Sequence, residues 1–338
     1  MTDRIIECVP NFSEGRNGKV IAEIARVIES VEDVKLLNVD PGEGANRTVM
    51  TFAGSPEAVV EAAYNSIISA SRLIDMSLHH GEHPRIGATD VCPLVPIRGV
   101  TMEECVAYAR ELARRVGESG IAVYCYENAA FFEERRNLAT CRAGEYEGIE
   151  RKMADIRWRP DFGPVTYNEQ VRKSGISVIG AREFLVAINF NLNSDSVETA
   201  SEIAKDVREK GRKIVENGVE RWQRGTLKGC KAIGWYIKEY GRAQVSMNIT
   251  DLEATPLHIA YEEVSRRARE RGVEVTGSEL IGLLPKRALL RAGEYFFSKR
   301  GGDGPRDEAA LLQLAADSMG FADLAPFDYK KRVIEELL

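Results

Sequence analysis

The 338-residue chain has six cysteines but no CxxC pair, and no run of eighteen consecutive apolar residues. It also lacks a Walker A sequence, a GxGxxG loop and an HExxH helix. Each absence removes a class of protein. Scattered as they are, Cys8, Cys92, Cys105, Cys125, Cys141 and Cys230 read as reduced, mostly buried thiols, not as a disulfide framework or zinc knuckle. Without a long apolar stretch no membrane span is expected. Residues 1–10, with Asp3 and Glu7, do not read as a signal peptide, so the cytoplasm is the expected compartment. The missing phosphate loops argue against a nucleotide cofactor. A net charge of −6 argues against general nucleic-acid binding, which needs a basic surface to displace counterions. It leaves room for a local basic pocket, because net charge does not report where charges sit.

What is present is ordinary for a globular protein: 44% hydrophobic and 29% charged residues, in a length that suits two moderate domains. In the first half, apolar periodicity predicts a strand over 4–9, a helix over 18–30, and a strand over 34–39 ended by Asp40-Pro41-Gly42. A strand over 48–52, a helix from Ser55-Pro56 to about Ile74 and a strand over 90–97 complete a βαββαβ order. The second half repeats it, with strands over 184–189, 232–237, 243–249 and within 273–284, and helices over 196–210 and 257–271. A helix over 101–119 and an added strand over 121–126 follow the first set. Residues 142–176 read as loop-rich and 213–229 as a loop or partial helix; 301–305, rich in glycine, read as a surface break before a helical tail. The expected class is therefore α+β, with two successive ferredoxin-like βαββαβ subdomains, sheets packed together and helices outside. The expected boundaries are 1–177, 178–300 and a tail over 301–338.

Three of the four histidines fall in His79-His80-Gly81-Glu82-His83-Pro84-Arg85, on a helix-to-strand connection of the kind that often carries function. An imidazole can take and give a proton near neutrality, as a general acid/base must. Pro84 holds the backbone of His83 extended, Glu82 or Asp90 can tune its tautomer, and Arg85 can bind an anion as a planar fork. The plainer reading has His79 and His80 finishing a helix. A zinc site from two of the three is a further option, short of the ligands such sites need. Two Gly-bearing loops, one with Asn11 and one running from Asp40 through Asn46 to Arg47, allow close backbone approach to a ligand, though such loops are more often turns and caps. Cys92, beside Pro93, reads as a buried structural thiol before it reads as a nucleophile. Asp161-Phe162-Gly163 matches a kinase triplet by letters only.

Glu7-Cys8-Val9-Pro10-Asn11-Phe12-Ser13-Glu14-Gly15, Asn46-Arg47-Thr48 and Leu73-Ile74-Asp75-Met76 leading into His79 to Arg85 together resemble the glutamate formimidoyltransferase family, the transferase part of formiminotransferase-cyclodeaminase. The similarity continues through Asp90-Val91-Cys92-Pro93, Arg142-Ala143-Gly144-Glu145-Tyr146, Asp161-Phe162-Gly163-Pro164, Ala232-Ile233-Gly234-Trp235-Tyr236, Gln244-Val245-Ser246 and Leu324-Ala325-Pro326-Phe327. It implies transfer of a formimino group from N-formimino-L-glutamate to N5 of tetrahydrofolate, a step of histidine breakdown, with His83 as the catalytic residue. Tetrahydrofolate would be the acceptor cosubstrate, polyglutamylated or not, with no metal and no nucleotide. Substrate contacts would fall to Asn11, Asp40, Asn46, Arg47 and Arg85, the two arginines facing the donor's carboxylates. Folate contacts would begin at Gly163 and Pro164 and continue through Val165, Thr166 and Tyr167 to Gly175, in a stretch that departs from the animal pattern. A homodimer is expected on the same resemblance, along with a cleft between the two subdomains for the ligands. Because the chain ends after the transferase part, cyclodeaminase activity is not expected. The rival activities are formyl transfer from 5-formyltetrahydrofolate or its ATP-dependent ring closure on the same scaffold. A folate-binding protein without turnover is the rival from another class.

Overall fold

The computed structural model describes residues 4–216, 218–304 and 306–338. The chain divides into two compact units, Met1–Glu183 and Phe184–Leu338. The first opens with a strand broken at Val9-Pro10 into β1 (Ile5–Cys8) and β2 (Asn11–Phe12), followed by α1 (Gly18–Glu29), β3 (Val34–Gly42) and β4 (Arg47–Gly54). Next come α2 (Pro56–Leu73), β5 (Thr89–Arg98), α3 (Met102–Glu118) and β6 (Ala122–Glu127). Short helices α4 (Leu138–Arg142), α5 (Ile149–Ala154) and α6 (Glu169–Ser174) lead to β7 (Ile176–Ala181). Local signals explain the helix starts. Asn17 caps α1 through its side chain, Pro56 occupies the first turn of α2, and Thr101 with Glu104 closes a capping box on α3.

In the first sheet the strands run β3, β4, β1/β2, β5, β7, β6. The pairs through β5 are antiparallel, whereas β7 lies parallel to both β5 and β6. Three features differ from the sequence reading. β3 runs on through Asp40-Pro41-Gly42 to a turn at residues 43–46; Pro41 is tolerated because β3 pairs only with β4, and an edge strand need not donate on its open side. β7 inserts between β5 and β6, so the boundary expected at Ser177 falls inside a strand of the first sheet. The stretch expected as loop-rich supplies three helices whose Cys141, Ile149, Met153 and Val171 pack on Val91, Tyr124 and Val178. Helices α1 to α3 cover the opposite face of the sheet over Ile6, Phe52, Cys92 and Leu94. Parallel strands need both faces covered, so the β5–β7–β6 half carries helices on each side and not mainly on one.

The second unit consists of β8 (Val186–Leu192), α7 (Val197–Val207), β9 (Arg212–Glu216), β10 (Val219–Gln223), β11 (Cys230–Ile237), β12 (Arg242–Ile249), α8 (Leu257–Arg269) and β13 (Val275–Ile281). Helices α9 (Lys286–Lys299), α10 (Glu308–Met319) and α11 (Ile334–Leu337) end the chain. Its sheet runs β11, β12, β8, β13, all antiparallel. Ranked in chain order, both βαββαβ sets therefore line up as second, third, first and fourth strand. Val186, Ile188 and Phe190 face the helices, while Asn189, Asn191 and Gln244 lie on the other face, hydrogen-bonded to one another or to Glu279 and Asp323. Residues 213–229, expected as loop or helix, hold most of a two-stranded ribbon instead. Val215, Val219 and Trp222 of that ribbon are exposed, so no buried face imposed a period on its sequence. The expected helical tail is part of the second core through Leu312, Ala315, Met319, Phe321 and Val333. Pro305 of the expected Gly301–Pro305 break lies outside the described residues.

Candidate active site

At the edge of the first sheet where β5 and β7 begin, loops converge around His83. The connection from α2 to β5 starts with a single 3-10 turn over Met76–Leu78, capped by Asp75 and closed by the His79 backbone N–H on the Met76 carbonyl. His79 is buried and fully used. Its Nε2–H donates to the Asn46 carbonyl at 2.8 Å, and its Nδ1 accepts from Arg85 Nε at 3.2 Å. Asn46 sits in the left-handed region at φ 47°, where a short amide side chain is tolerated. Its Oδ1 accepts from the Gly15 N–H and its Nδ2 donates to the His80 carbonyl. Asn46 thus ties three loops together. It is a hub of the scaffold in this geometry.

His83 lies partly buried within that frame. Its Nδ1 is 2.7 Å from the Pro84 carbonyl, which can only accept, so Nδ1 carries the proton and Nε2 the lone pair. Arg47 Nη1 lies 2.6 Å from both ring nitrogens, and with the proton on Nδ1 it donates to Nε2. Arg47 Nη2 donates to Asn11 Oδ1, whose own Nδ2 is bound to the Val9 carbonyl. Behind Arg47 stands Asp90, with no solvent exposure, 4.0 Å from Nη1. Asp90 also receives Nε and Nη2 of Arg142 and the Ile86 N–H. Two guanidiniums therefore face one buried carboxylate. Burial, then Arg47 and Arg142, hold the His83 imidazole well below its ordinary 6.5, and the Pro84 carbonyl opposes them weakly. Burial and Arg142 push Arg47 down to about 9, against Asp90 and Tyr126. Asp40, on β3 opposite Val49, lies diagonal to Arg47 on the same face of the sheet, a spacing of roughly 7–8 Å.

Arg85, expected at the substrate's carboxylates, is placed otherwise. Its five N–H groups meet His79 Nδ1, the His79 carbonyl, Glu145 and both oxygens of Glu147. With its side chain only 7% exposed, it has no donor left for a ligand. His80, Gly81, Arg85, Gly144, Glu145 and Glu147 line an open polar depression of about 470 Å³. Cys92 is buried, 3.5 Å from Cys8 Sγ, as expected of a structural thiol.

The stretch from Gly163 to Gly175 is anchored at both ends. Gly163 has φ 82°, and a Cβ there would lie 2.2 Å from the Ile121 carbonyl, so only glycine seats the chain against the start of β6. Gly175, at φ 68°, bridges Gly87, and the flanking bonds Ile176 N–H to Ile86 O and Ala88 N–H to Ser174 O stitch it to the His83 connection. Between these anchors Val165 and Thr166 are exposed, and Tyr167 leans on the core beside Tyr146. Phe162 bridges Val123 on the open side of β6, and the register pairs Ala122 with Ile176, so Gly163 sits at the same sheet edge as the start of β5, roughly 14 Å away across three strand spacings.

Residues 5–182 match the model of the formiminotransferase domain's N-terminal subdomain, and residues 187–338 match that of the formiminotransferase domain. The chain belongs to the formiminotransferase family. It is 41% identical over 294 residues to a glutamate formimidoyltransferase from Streptococcus pyogenes serotype M1, covering 87% of this chain and 93% of the relative. A glutamate formimidoyltransferase from Thermoplasma acidophilum is 40% identical over 302 residues, covering 88% of this chain and 94% of the relative. A formimidoyltransferase-cyclodeaminase from Sus scrofa is 47% identical over 336 residues, 99% of this chain, which spans 60% of that longer relative. Each of the two family models falls within one compact unit.

Within this family member, the sequence reading missed Arg142 as a site residue and named Asp90 only as a partner for the ring. Arg142 is 52 positions from Asp90, and no periodic pattern links such positions. The one signal is that both lie in motifs that resemble the family's, Asp90 to Pro93 and Arg142 to Tyr146. Among the described residues no three His, Cys, Asp or Glu side chains are grouped to hold a metal, and no helix is long and apolar enough to cross a membrane.

Proposed function

We propose that this protein transfers a formimino group from N-formimino-L-glutamate to N5 of tetrahydrofolate, with His83 as its acid/base residue. The single observation that carries the assignment of His83 is the 2.7 Å contact of its Nδ1 with the Pro84 carbonyl, which favours the tautomer in which Nε2 is the base. N5 attacks the formimino carbon and forms the new N–C bond. Nε2 accepts the N5 proton and returns it to the glutamate nitrogen as the old C–N bond breaks and glutamate leaves. An imidazole held below its ordinary range is neutral at pH 7, as a base must be. Arg47 occupies Nε2 in the resting geometry, and a donor carboxylate offers that guanidinium a stronger partner, which frees the lone pair.

Substrate contacts are assigned to Asn11, Asp40 and Arg47, with Asn46 shaping the loops and Arg85 left as scaffold. Folate contacts are assigned to the run Gly163 to Thr166, in which Pro164 is half-buried and the other three are exposed, with Tyr167 and Gly175 setting its course. The strand order shared by the two βαββαβ sets supports reading each as ferredoxin-like. Cytoplasmic location is proposed on the scattered, buried thiols and a homodimer on the family resemblance, and sedimentation velocity tests the dimer. Activity is tested with purified protein, tetrahydrofolate and either N-formimino-glutamate or, in the reverse sense, 5-formyltetrahydrofolate with glutamate. Turnover of the formimino donor at a kcat/KM well above that of the formyl route supports the proposal. Turnover of the formyl route alone, or folate binding without turnover, refutes it.

A further inference from the structure

We propose that Asp90 and Arg142 are positioning residues for His83: the buried carboxylate anchors both guanidiniums beside the imidazole and so fixes the charge that the ring faces. The inference rests on the reading of His83 as the acid/base group. Arg142 binds Asp90 through Nε and Nη2, and Asp90 stands 4.0 Å from the Arg47 nitrogen that touches the ring. The carboxylate is fully buried, and its remaining bond to the Ile86 N–H holds it to the His83 connection itself. Arg142 is the last residue of α4, and that helix end is pinned by Lys152, whose ammonium donates to the Thr140, Cys141 and Ala143 carbonyls. Hydrogen bonds therefore hold the pair from both sides.

The charged and titratable groups facing this cluster come from four elements. They are Arg47 from β4, Asp90 from β5, Tyr126 from β6 and Arg142 from α4, with Asp40 of β3 diagonal to Arg47 by register. On the connection itself, His79 and Arg85 are bound to each other, and Arg85 is further bound to Glu145 and Glu147. Within this set the signs are opposed. Arg142 disfavours a proton on His83 and on Arg47, and Asp90 favours one on Arg47. Removing the cation should therefore raise both titrations; removing the anion should lower that of Arg47 and, by the same Coulomb sign, that of His83.

The test is the pH profile of kcat/KM for Arg142→Gln and Asp90→Asn, with the His83 Cε1–H proton followed by NMR in the same proteins without substrate. Arg142→Gln is expected to move the acid limb to higher pH by about one unit, and Asp90→Asn to move it lower by a similar amount. Arg142→Lys, which keeps the charge, should leave the limb in place. If Asp90→Asn fails to fold, the double variant Arg142→Gln/Asp90→Asn removes both charges together and should return the limb close to its original position. A merely structural role would lower kcat while leaving the limbs and the NMR titration where they are, and that result overturns the proposal, as do shifts of the same sign. Full activity in His83→Ala would instead sink the acid/base reading on which the proposal stands.

Discussion

Arg135 and Asp161 form an ion pair in which the side chains are 3% and 4% exposed, and it secures the loop that presents Gly163. Arg135 also donates to the Arg157 and Arg159 carbonyls and lies over the rings of Tyr124 and Phe132 at 4.8 Å. Asp161 additionally accepts from the Cys125 N–H of β6. In Arg135→Met the stem volume is kept, but Asp161 and two carbonyls lose their donor inside the protein. Leaving one partner of a buried pair alone costs about 3–5 kcal/mol. For a unit of this size that is a fall in Tm of about 6–20 °C. Burial already raises the Asp161 carboxyl above its ordinary value, with the Cys125 N–H and Arg135 pulling it down; without Arg135 it rises further. The folded variant then binds a proton that the unfolded chain does not. Its deficit is therefore fully expressed above the raised folded value and shrinks as pH falls through it toward the unfolded value. Calorimetry at pH 7.5 and pH 5 should show a larger gap from the parent protein at pH 7.5. Arg135→Met/Asp161→Asn should recover part of the loss, because the stranded carboxylate is gone while the Arg157 and Arg159 carbonyls still lack their donor. A Tm within 2 °C of the parent, or a deficit that grows at acid pH, refutes the reasoning.

His83→Ala should lower kcat by roughly two to four orders of magnitude with tetrahydrofolate affinity kept, whereas His79→Ala should act mainly on stability, by about 1–3 kcal/mol in urea melts, since it strips partners from Asn46 and Arg85. Equal kinetic losses at both positions would contradict these roles. In the parent protein kcat/KM should be level at pH 7 and fall only in acid, below the ordinary imidazole range, because the neutral ring is the base and its proton affinity is lowered; an acid limb above pH 7 would count against it. Gly175→Ala should destabilise by about 2 kcal/mol or more, since φ 68° and the Ile86 carbonyl both oppose a Cβ, and should raise KM for tetrahydrofolate more than it lowers kcat. An unchanged urea midpoint would show that the close approach is not needed.

The local rules were legible in the sequence. Period-3.6 and period-2 patterns located α1, α2, α3, α7 and α8 and most sheet strands within a few residues, because each of these elements has a face to bury. The His83 connection stood out from the crowding of proton-carrying side chains, and the family motifs from their letters. What the chain does over long separations was not legible. The period of β7 was hidden because both of its faces are buried, so Ile176 to Ala181 show no alternation. The β9–β10 ribbon buries almost nothing, so it left no pattern either. Arg85 read as an anion fork until the fold supplied Glu145 and Glu147 sixty positions later. Arg142 and Asp90 acquire their meaning only where a buried carboxylate must be shared. Periodicity is a property of neighbours along the chain, whereas the partner of a buried charge is chosen by tertiary packing, which sets the cost of leaving it unpaired.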